Sequence, residues 1–362
     1  MKAPLPLPDT DGESNAAAER SPRILIVRVS AIGDVIHGIP VLCALRKAFP
    51  NAFLAWVAEG TAGDVLEGHP ALDELVRVPR RWWKFPREVW RMRQRLGSMR
   101  FDIAIDLQCL TKSAITAWLS GAPRRIGKSG AEGRELSRWF NNELVQTSGA
   151  HVLEDYLSML RPLGIESAAM KFDLPERAAE AEVVDQFLQT SGLAGRRYAV
   201  LNPGAGWPSK IWPAERYGAL ARHLHDVHGI SSVAAWGLKT ELPLAETIVS
   251  ESGGHAQMAP PTTMMQLAAL CRRAALFVGS DTGPMHLAVA VGTPTISMHG
   301  PSWADWCGAY GQQNIRLQAR YEDGSSLERR RADDAAMRAI SVDMAARACD
   351  LLLRVNSARK CG

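Results

Sequence analysis

No run of roughly eighteen apolar residues occurs in the chain, so no membrane-crossing helix is expected. The stretch from Met1 to Ser21 lacks an apolar core as well, which argues for a flexible tail and against a secretory signal. The six cysteines are scattered and form no Cys-x-x-Cys, which excludes zinc-knuckle spacing and a disulfide framework and fits a reducing cytoplasm. There is no Gly-x-Gly-x-x-Gly after a strand and no Gly-Lys-Ser/Thr loop, so nicotinamide and P-loop nucleotide sites are disfavoured. The only Asp-x-Asp, Asp9-Thr10-Asp11, lies in the tail; no carboxylate pair suited to Mg²⁺ or Mn²⁺ follows a strand. A net charge of +4 is too small to imply nucleic-acid binding, though it permits a local basic face.

What remains is a 362-residue chain, 46% hydrophobic and 22% charged, suited to two ordinary globular domains. Apolar, β-branched runs alternate with helical patterns. Arg23–Val29 reads as a buried strand and Val35–Phe49 as a helix. Strands are then expected at Ala52–Ala58, Leu75–Val78 and Phe101–Leu107, with helices at Thr61–Glu67, Trp83–Leu96 and Thr111–Leu119. After a helix over Glu176–Thr190 and a glycine-bearing stretch, 191–195, the alternation restarts. Strands at Arg197–Pro203, Ser231–Trp236, Leu276–Gly279 and Thr295–Met298 interleave with helices at Ala214–Val227, Leu242–Ser250, Thr263–Arg273 and Pro284–Val291. This predicts an α/β chain of two Rossmann-like domains with a cleft between them. The expected units are a tail at 1–21, a first domain at 22–190 and a second at 196–340. The helix at 341–362 would pack back on the first domain.

Ligands of open parallel sheets sit beyond the carboxyl ends of the strands, and the notable residues follow strands. In Ser30-Ala31-Ile32-Gly33-Asp34-Val35-Ile36-His37, Gly33 permits a tight turn into a helix. Asp34 is either a cap for that helix or a general base at the cleft floor, and His37 is either a polar contact or structural. In Asn202-Pro203-Gly204-Ala205-Gly206-Trp207-Pro208-Ser209-Lys210, glycines such as Gly206 let a diphosphate approach the backbone. Lys210 there supplies a point charge, or is merely solvated. In Ser280-Asp281-Thr282-Gly283-Pro284-Met285-His286, a helix start again offers amides to an anion. Asp281, repulsive to phosphate, should hold the loop, and His286 is a donor contact or a satisfied core imidazole. Arg80, Arg81 and Lys84 begin a basic, tryptophan-rich segment, to which Arg124 adds; it is a solvated face or a surface for phosphorylated acceptors or anionic membrane. Gln108 and Lys112, in Asp106-x-Gln108-x-x-x-Lys112-Ser113, follow a strand toward the same cleft.

Taken in order, these segments together with Lys210-x-Trp212-Pro213, Trp236-Gly237 and Gly300-Pro301 resemble glycosyltransferase family 9, the ADP-heptose:lipopolysaccharide heptosyltransferases, from about Arg23 to Gly311. The Arg80-Arg81-Trp82 and Asp106-to-Ser113 pieces look most like the enzyme that adds the first heptose. The resemblance implies a GT-B fold and inverting transfer of heptose from ADP-heptose to Kdo–lipid A. Asp34 would be the general base. Lys210, Gly206, Trp236, Glu241, Asp281, Thr282, Gly283 and His286 would lie on the donor, with Glu241 at the ribose. Ser30, His37, Arg80, Arg81, Lys84, Gln108, Lys112 and Arg124 would lie on the acceptor. It further implies a metal-independent, cofactor-free enzyme, monomeric, binding no nucleic acid, and peripheral at the cytoplasmic face of the inner membrane. Two features depart from the family pattern: Cys109 replaces its usual glycine, and the loop before Lys210 is rich in Gly, Pro and Trp. Other readings from the same residues are a family 9 enzyme acting on a protein or an outer-core sugar, a same-fold UDP-sugar epimerase, and a non-catalytic membrane-surface binder.

Overall fold

The computed structural model describes residues 21–130 and 136–360. The tail expected over 1–21 thus falls outside the described residues but for its last position, as does Cys361. Among the described residues there are two all-parallel, six-stranded sheets. The first comprises β1 (Arg23–Val27), β2 (Phe53–Glu59), β3 (Glu74–Val78), β4 (Ile103–Asp106), β5 (Arg124–Lys128) and β6 (Glu143–Val145), in the order β3-β2-β1-β4-β5-β6. The second comprises β7 (Tyr198–Asn202), β8 (Ser231–Ala234), β9 (Ala256–Met258), β10 (Leu276–Ser280), β11 (Thr295–Met298) and β12 (Ile315–Leu317), ordered β12-β11-β10-β7-β8-β9. Counted from its own first strand, each sheet has the doubly wound order 3-2-1-4-5-6. The central strands β1, β7 and β10 carry near-continuous apolar runs because helices cover both of their faces.

Helices α1 (Ile32–Ala48), α2 (Pro86–Ser98), α3 (Thr111–Leu119), α4 (Ser137–Phe140), α5 (Val152–Ser158) and α6 (Ala178–Thr190) belong to the first half. The second half has α7 (Ala214–His228), α8 (Leu242–Glu251), α9 (Met264–Arg273), α10 (Gly283–Ala290), α11 (Ala304–Cys307), α12 (Ser326–Arg331), α13 (Ala335–Arg338) and α14 (Val342–Lys360). The helix expected over Thr61–Glu67 is only a 3-10 turn at Gly60–Gly63, because Gly60 and Gly68 take left-handed backbone at its two ends. The one expected over Trp83–Leu96 divides into a 3-10 turn, Trp82–Lys84, and α2. Pro86 holds the preceding Phe85 extended and starts a new helix at its own first position. The sequence reading passed over β5, β6, β9, β12 and α5, all short, with polar residues such as Arg124 and Arg125 breaking the strand pattern.

The last helix corrects one expectation. Rather than returning to the first half, α14 packs on α7, β11 and β12 of the second. Its buried Ala345, Ala348, Cys349 and Leu352 join the apolar cluster that holds Trp212 and Tyr217.

Apart from α6, which packs on α9 of the second half, the halves meet where α1 and α10 pack together. Ile36 and Ile39 of α1 share one buried cluster with Met285 and Val289 of α10. Both helices are the first turn after a central strand, β1 or β10, so the carboxyl ends of the two sheets converge. That convergence locates the cleft.

Candidate active site

In a doubly wound sheet, the loops after strands 1 and 4 part at the point where the winding reverses, which leaves a crevice. The first sheet brings the loops after β1 and β4 together there. Lys112 Nζ, at the start of α3, donates to Ser30 Oγ at 3.1 Å, and it lies 3.9 Å from the carboxylate of Glu59 at the end of β2. The same glutamate accepts a hydrogen bond from the Arg81 amide, tying the basic segment to this crevice. Arg28, at the exit of β1, places Nη2 2.6 Å from Asp34 Oδ2, which also accepts from the Ala31 amide at 3.1 Å. Asp34 therefore caps α1 and pairs with a cation at once, while its side chain keeps 40% exposure toward the cleft. Arg28 is itself buried; burial disfavours its charge, but nearby Tyr156 and Asp34 outweigh that and its pKa is raised. The indole of Trp56, fully buried on β2, donates to the Arg28 carbonyl and fixes that backbone.

The second sheet repeats the arrangement with its loops after β7 and β10. Lys210, on a 3-10 turn over Pro208–Lys210, sets Nζ 2.6 Å from Asp281 Oδ2 and 3.2 Å from the Asp281 carbonyl. Its ammonium also lies 4.6 Å from the centre of the Trp207 ring. Burial alone would raise the Asp281 pKa, but Lys210 beside it, aided by His286, holds that carboxyl well below the usual range. Asp281 thus ties the loop after β10 to the one after β7. Thr282 is the N-cap of α10, whose first-turn amides open at this point.

Glu241 Oε2 accepts from the amides of Gly237 and Leu238 at 2.9 and 3.0 Å. A Cβ on Gly204 would fall 2.2 Å from Glu241 Oε1, so a larger residue here would push the Glu241 carboxylate aside. Gly206, the one singled out from the sequence, has open space where its Cβ would be. Trp236 is half-buried, with its indole donating to the Ala259 carbonyl.

A buried polar chain joins the two crevices. His286 Nε2 donates to Asp281 Oδ1 at 3.1 Å, and His286 Nδ1 lies 3.0 Å from His37 Nε2. Burial, then His286 and His151, push the His37 pKa well below the usual imidazole value, so this ring is neutral. Gly33 makes the contact possible, since a Cβ there would fall 2.8 Å from His286 Cδ2.

Three residues expected on the acceptor have partners within the protein. His37, one turn along α1 from Asp34, faces the junction between halves and is 5% exposed, its ring against His286. Arg124 opens β5 at the amino end of the sheet, opposite the cleft, and is bound by both carboxylate oxygens of Glu143. Gln108 is half-buried and its Oε1 is taken by the Val29 amide, which makes it a brace for the β1 loop. Arg80, Arg81 and Lys84 are exposed beyond the carboxyl end of β3. The sequence reading missed Arg28. Its signal was a charge placed directly after an apolar strand and before the Ser30 loop.

Cys109 takes a left-handed backbone, φ +51, with Sγ donating to the Asp106 carbonyl at 2.9 Å and accepting from the Lys128 amide at 3.2 Å. That conformation explains why glycine suits the position. Among the described residues, the metal-capable group in the cleft is Asp281, His299 and Cys307, whose ligand atoms lie within 4.8 Å of one another. The Lys210 ammonium already occupies Asp281 Oδ2, so a cation there would meet a like charge. No described helix is long and apolar enough to cross a membrane.

Comparison with known proteins agrees with this architecture. The family model for glycosyltransferase family 9 (heptosyltransferase) matches residues 89–336. The chain is 29% identical to lipopolysaccharide heptosyltransferase 1 of Pseudomonas aeruginosa over 85% of its own length and 86% of that protein's. It is 26% identical to the lipopolysaccharide core heptosyltransferase OpsX of Haemophilus influenzae, over 76% and 78%. Among solved structures, a family 9 glycosyltransferase from Veillonella parvula superposes with a TM-score of 0.80 at 24% identity, covering 92% of this chain and 97% of that one. The E. coli heptosyltransferase WaaC with ADP superposes with a TM-score of 0.72 at 23% identity, over 91% and 99%. These place the two sheets in the GT-B fold.

Proposed function

The chain belongs to glycosyltransferase family 9, and we propose that it is an inverting enzyme moving heptose from ADP-heptose to the Kdo–lipid A inner core. The carrying observation is the opposition of two crevices across the α1–α10 contact. One holds an accessible carboxylate, Asp34; the other holds an ammonium, Lys210, beside a helix N-terminus. Asp34 takes the proton of the acceptor hydroxyl as that oxygen attacks the anomeric carbon. The glycosyl–phosphate bond breaks on the opposite face, and ADP leaves with the electron pair. Lys210 and the first amides of α10 stabilise the charge that develops on the diphosphate. Asp281 holds Lys210 aimed, and Glu241 lies where a ribose would meet the loop after β8. No metal or cofactor is assigned a step.

On the acceptor side, Ser30 and Lys112 line the inner crevice, and Arg80, Arg81 and Lys84 lie farther out toward phosphorylated lipid. The enzyme would work as a monomer at the cytoplasmic surface of an anionic membrane. Relatives named for lipopolysaccharide heptosyltransfer support the sugar and the acceptor class. The test is incubation with ADP-heptose and with UDP-GlcNAc, each with and without Kdo–lipid A, following nucleotide release and acceptor mass. ADP released only when both ADP-heptose and acceptor are present supports the reading. Rearranged UDP-sugar without acceptor would replace it with an epimerase.

A further inference from the structure

The basic segment that leads to the cleft carries a second feature that acceptor binding leaves unused. Five large aromatic side chains on it or on the neighbouring helices are open to water: Trp83 (45% exposed), Phe85 (57%) and Trp90 (63%) on the segment, Trp118 (47%) on α3 and Trp139 (82%) on α4. Tryptophan is a residue that folding normally covers, and a cluster of exposed ones marks a surface with a partner. Three of them share one patch. Trp83, Trp90, Arg93 and Trp118 line a common shallow recess between α2 and α3. The Trp118 ring meets Phe140 edge-on at 6.1 Å, which carries the patch onto α4 beside Trp139.

The patch is fringed by cations. Lys84 sits 5.2 Å from the Trp83 ring centre and Arg93 5.7 Å from that of Trp118. Arg80, Lys84, Arg87 and Arg93 make no ion pair among the described residues, whereas the acid of α2, Glu88, is taken by Arg91. Indole rings with a polar N–H favour the zone between headgroups and acyl chains, and Lys and Arg favour anionic headgroups. A second copy of the chain fits poorly, because a two-fold contact would press like charges together.

We propose that this aromatic ridge, centred on Trp90, Trp118 and Trp139, is the surface by which the protein docks on an anionic bilayer. Trp118 lies six residues beyond Lys112 on α3, about 9 Å along the axis. Docking there would hold the inner crevice within a sugar or two of the headgroup plane. The docking claim stands on the ridge alone; its consequence for turnover rests on the lipid-linked acceptor proposed above.

The test is co-sedimentation of the full chain with vesicles of phosphatidylcholine, alone or with one third phosphatidylglycerol, for wild type and for Trp90→Ser/Trp139→Ser. Wild type should bind the anionic vesicles at least tenfold more tightly than the neutral ones, and less so at high salt. The double variant should lose at least tenfold on the anionic vesicles with an unchanged melting temperature. Equal binding by the two proteins, no wild-type binding, or a wild-type dimer that the variant abolishes would each overturn the proposal. In a second arm, transfer to a deacylated, water-soluble acceptor should be the same for both proteins, while transfer to acceptor embedded in vesicles should fall at least tenfold in the variant. Absence of transfer by wild type in either format would count against the proposed reaction and leave the sedimentation result to decide docking.

Discussion

The guanidinium of Arg28, just after β1, lies 2.6 Å from the carboxylate of Asp34 in the first turn of α1. A buried cation thereby fixes the orientation of the exposed carboxylate proposed as the base. Asp34→Ala should lower kcat by about 10²–10⁴-fold, the usual contribution of general-base catalysis, with ADP affinity unchanged. Arg28→Met should lower kcat by about tenfold with little effect on donor KM, because it frees the base without removing it. Steady-state kinetics on purified variants check both. A near-normal kcat for Asp34→Ala would assign that residue to helix capping alone.

Lys210 and Asp281 differ in kind from that pair, since both side chains are largely buried. Lys210→Met should weaken ADP binding at least tenfold by calorimetry. It should also destabilise the second half by roughly 3–5 kcal/mol, the cost of stranding a buried charge. Lys210→Met/Asp281→Asn should recover most of the stability and none of the ADP affinity. Recovery of both would show that the lysine serves the fold alone.

Much of this geometry was legible in the sequence because β1, β7 and β10 are apolar runs that end abruptly in small or charged residues. That pattern placed Ser30, Asp34, Lys210 and Asp281 at the cleft. Periodicity carries no information on which way a helical side chain faces across a domain junction. His37 therefore read as a neighbour of Asp34, when α1 points it into the interior against His286. Arg124 illustrates the second limit. A basic residue near other basic residues in sequence lies at the opposite end of a parallel strand, held by Glu143 of β6. The strands it belongs with are short and polar, so neither their existence nor their direction could be read beforehand.

Stability should fall in mild acid. Burial lowers the pKa of His299 to about 4, and burial also lowers those of His37 and His151. A depressed folded-state value means that the unfolded chain binds the proton first, near pH 6.5. The stability is complete above that pH and is lost as pH falls toward the folded values. From that difference, His299 alone should account for roughly 2 kcal/mol between pH 7 and pH 5. Urea unfolding at both pH values measures it, and His299→Gln should show a smaller loss on acidification than wild type. Parallel pH profiles would move the effect to other groups.

Gly33 lies against His286 where the two halves meet, and it offers a direct handle on their docking. A methyl group on Gly33 would fall 2.8 Å from His286 Cδ2, well inside contact distance, and that ring is pinned by both Asp281 and His37. The ring cannot swing aside without breaking the polar chain that ends at Lys210. Gly33→Ala should therefore separate α1 from α10 and spoil the alignment of Asp34 with the donor loop. An ångström-scale misplacement of this kind costs about 10²-fold in rate. His286→Ala alone leaves Asp281 paired with Lys210 and should be milder, about tenfold. Combining Gly33→Ala with His286→Ala should restore activity above that of Gly33→Ala alone, because the added methyl then enters the space the imidazole vacates. kcat/KM for the four proteins completes the cycle. Strictly additive losses would mean that the two residues act independently and that this contact does not set the distance between the crevices.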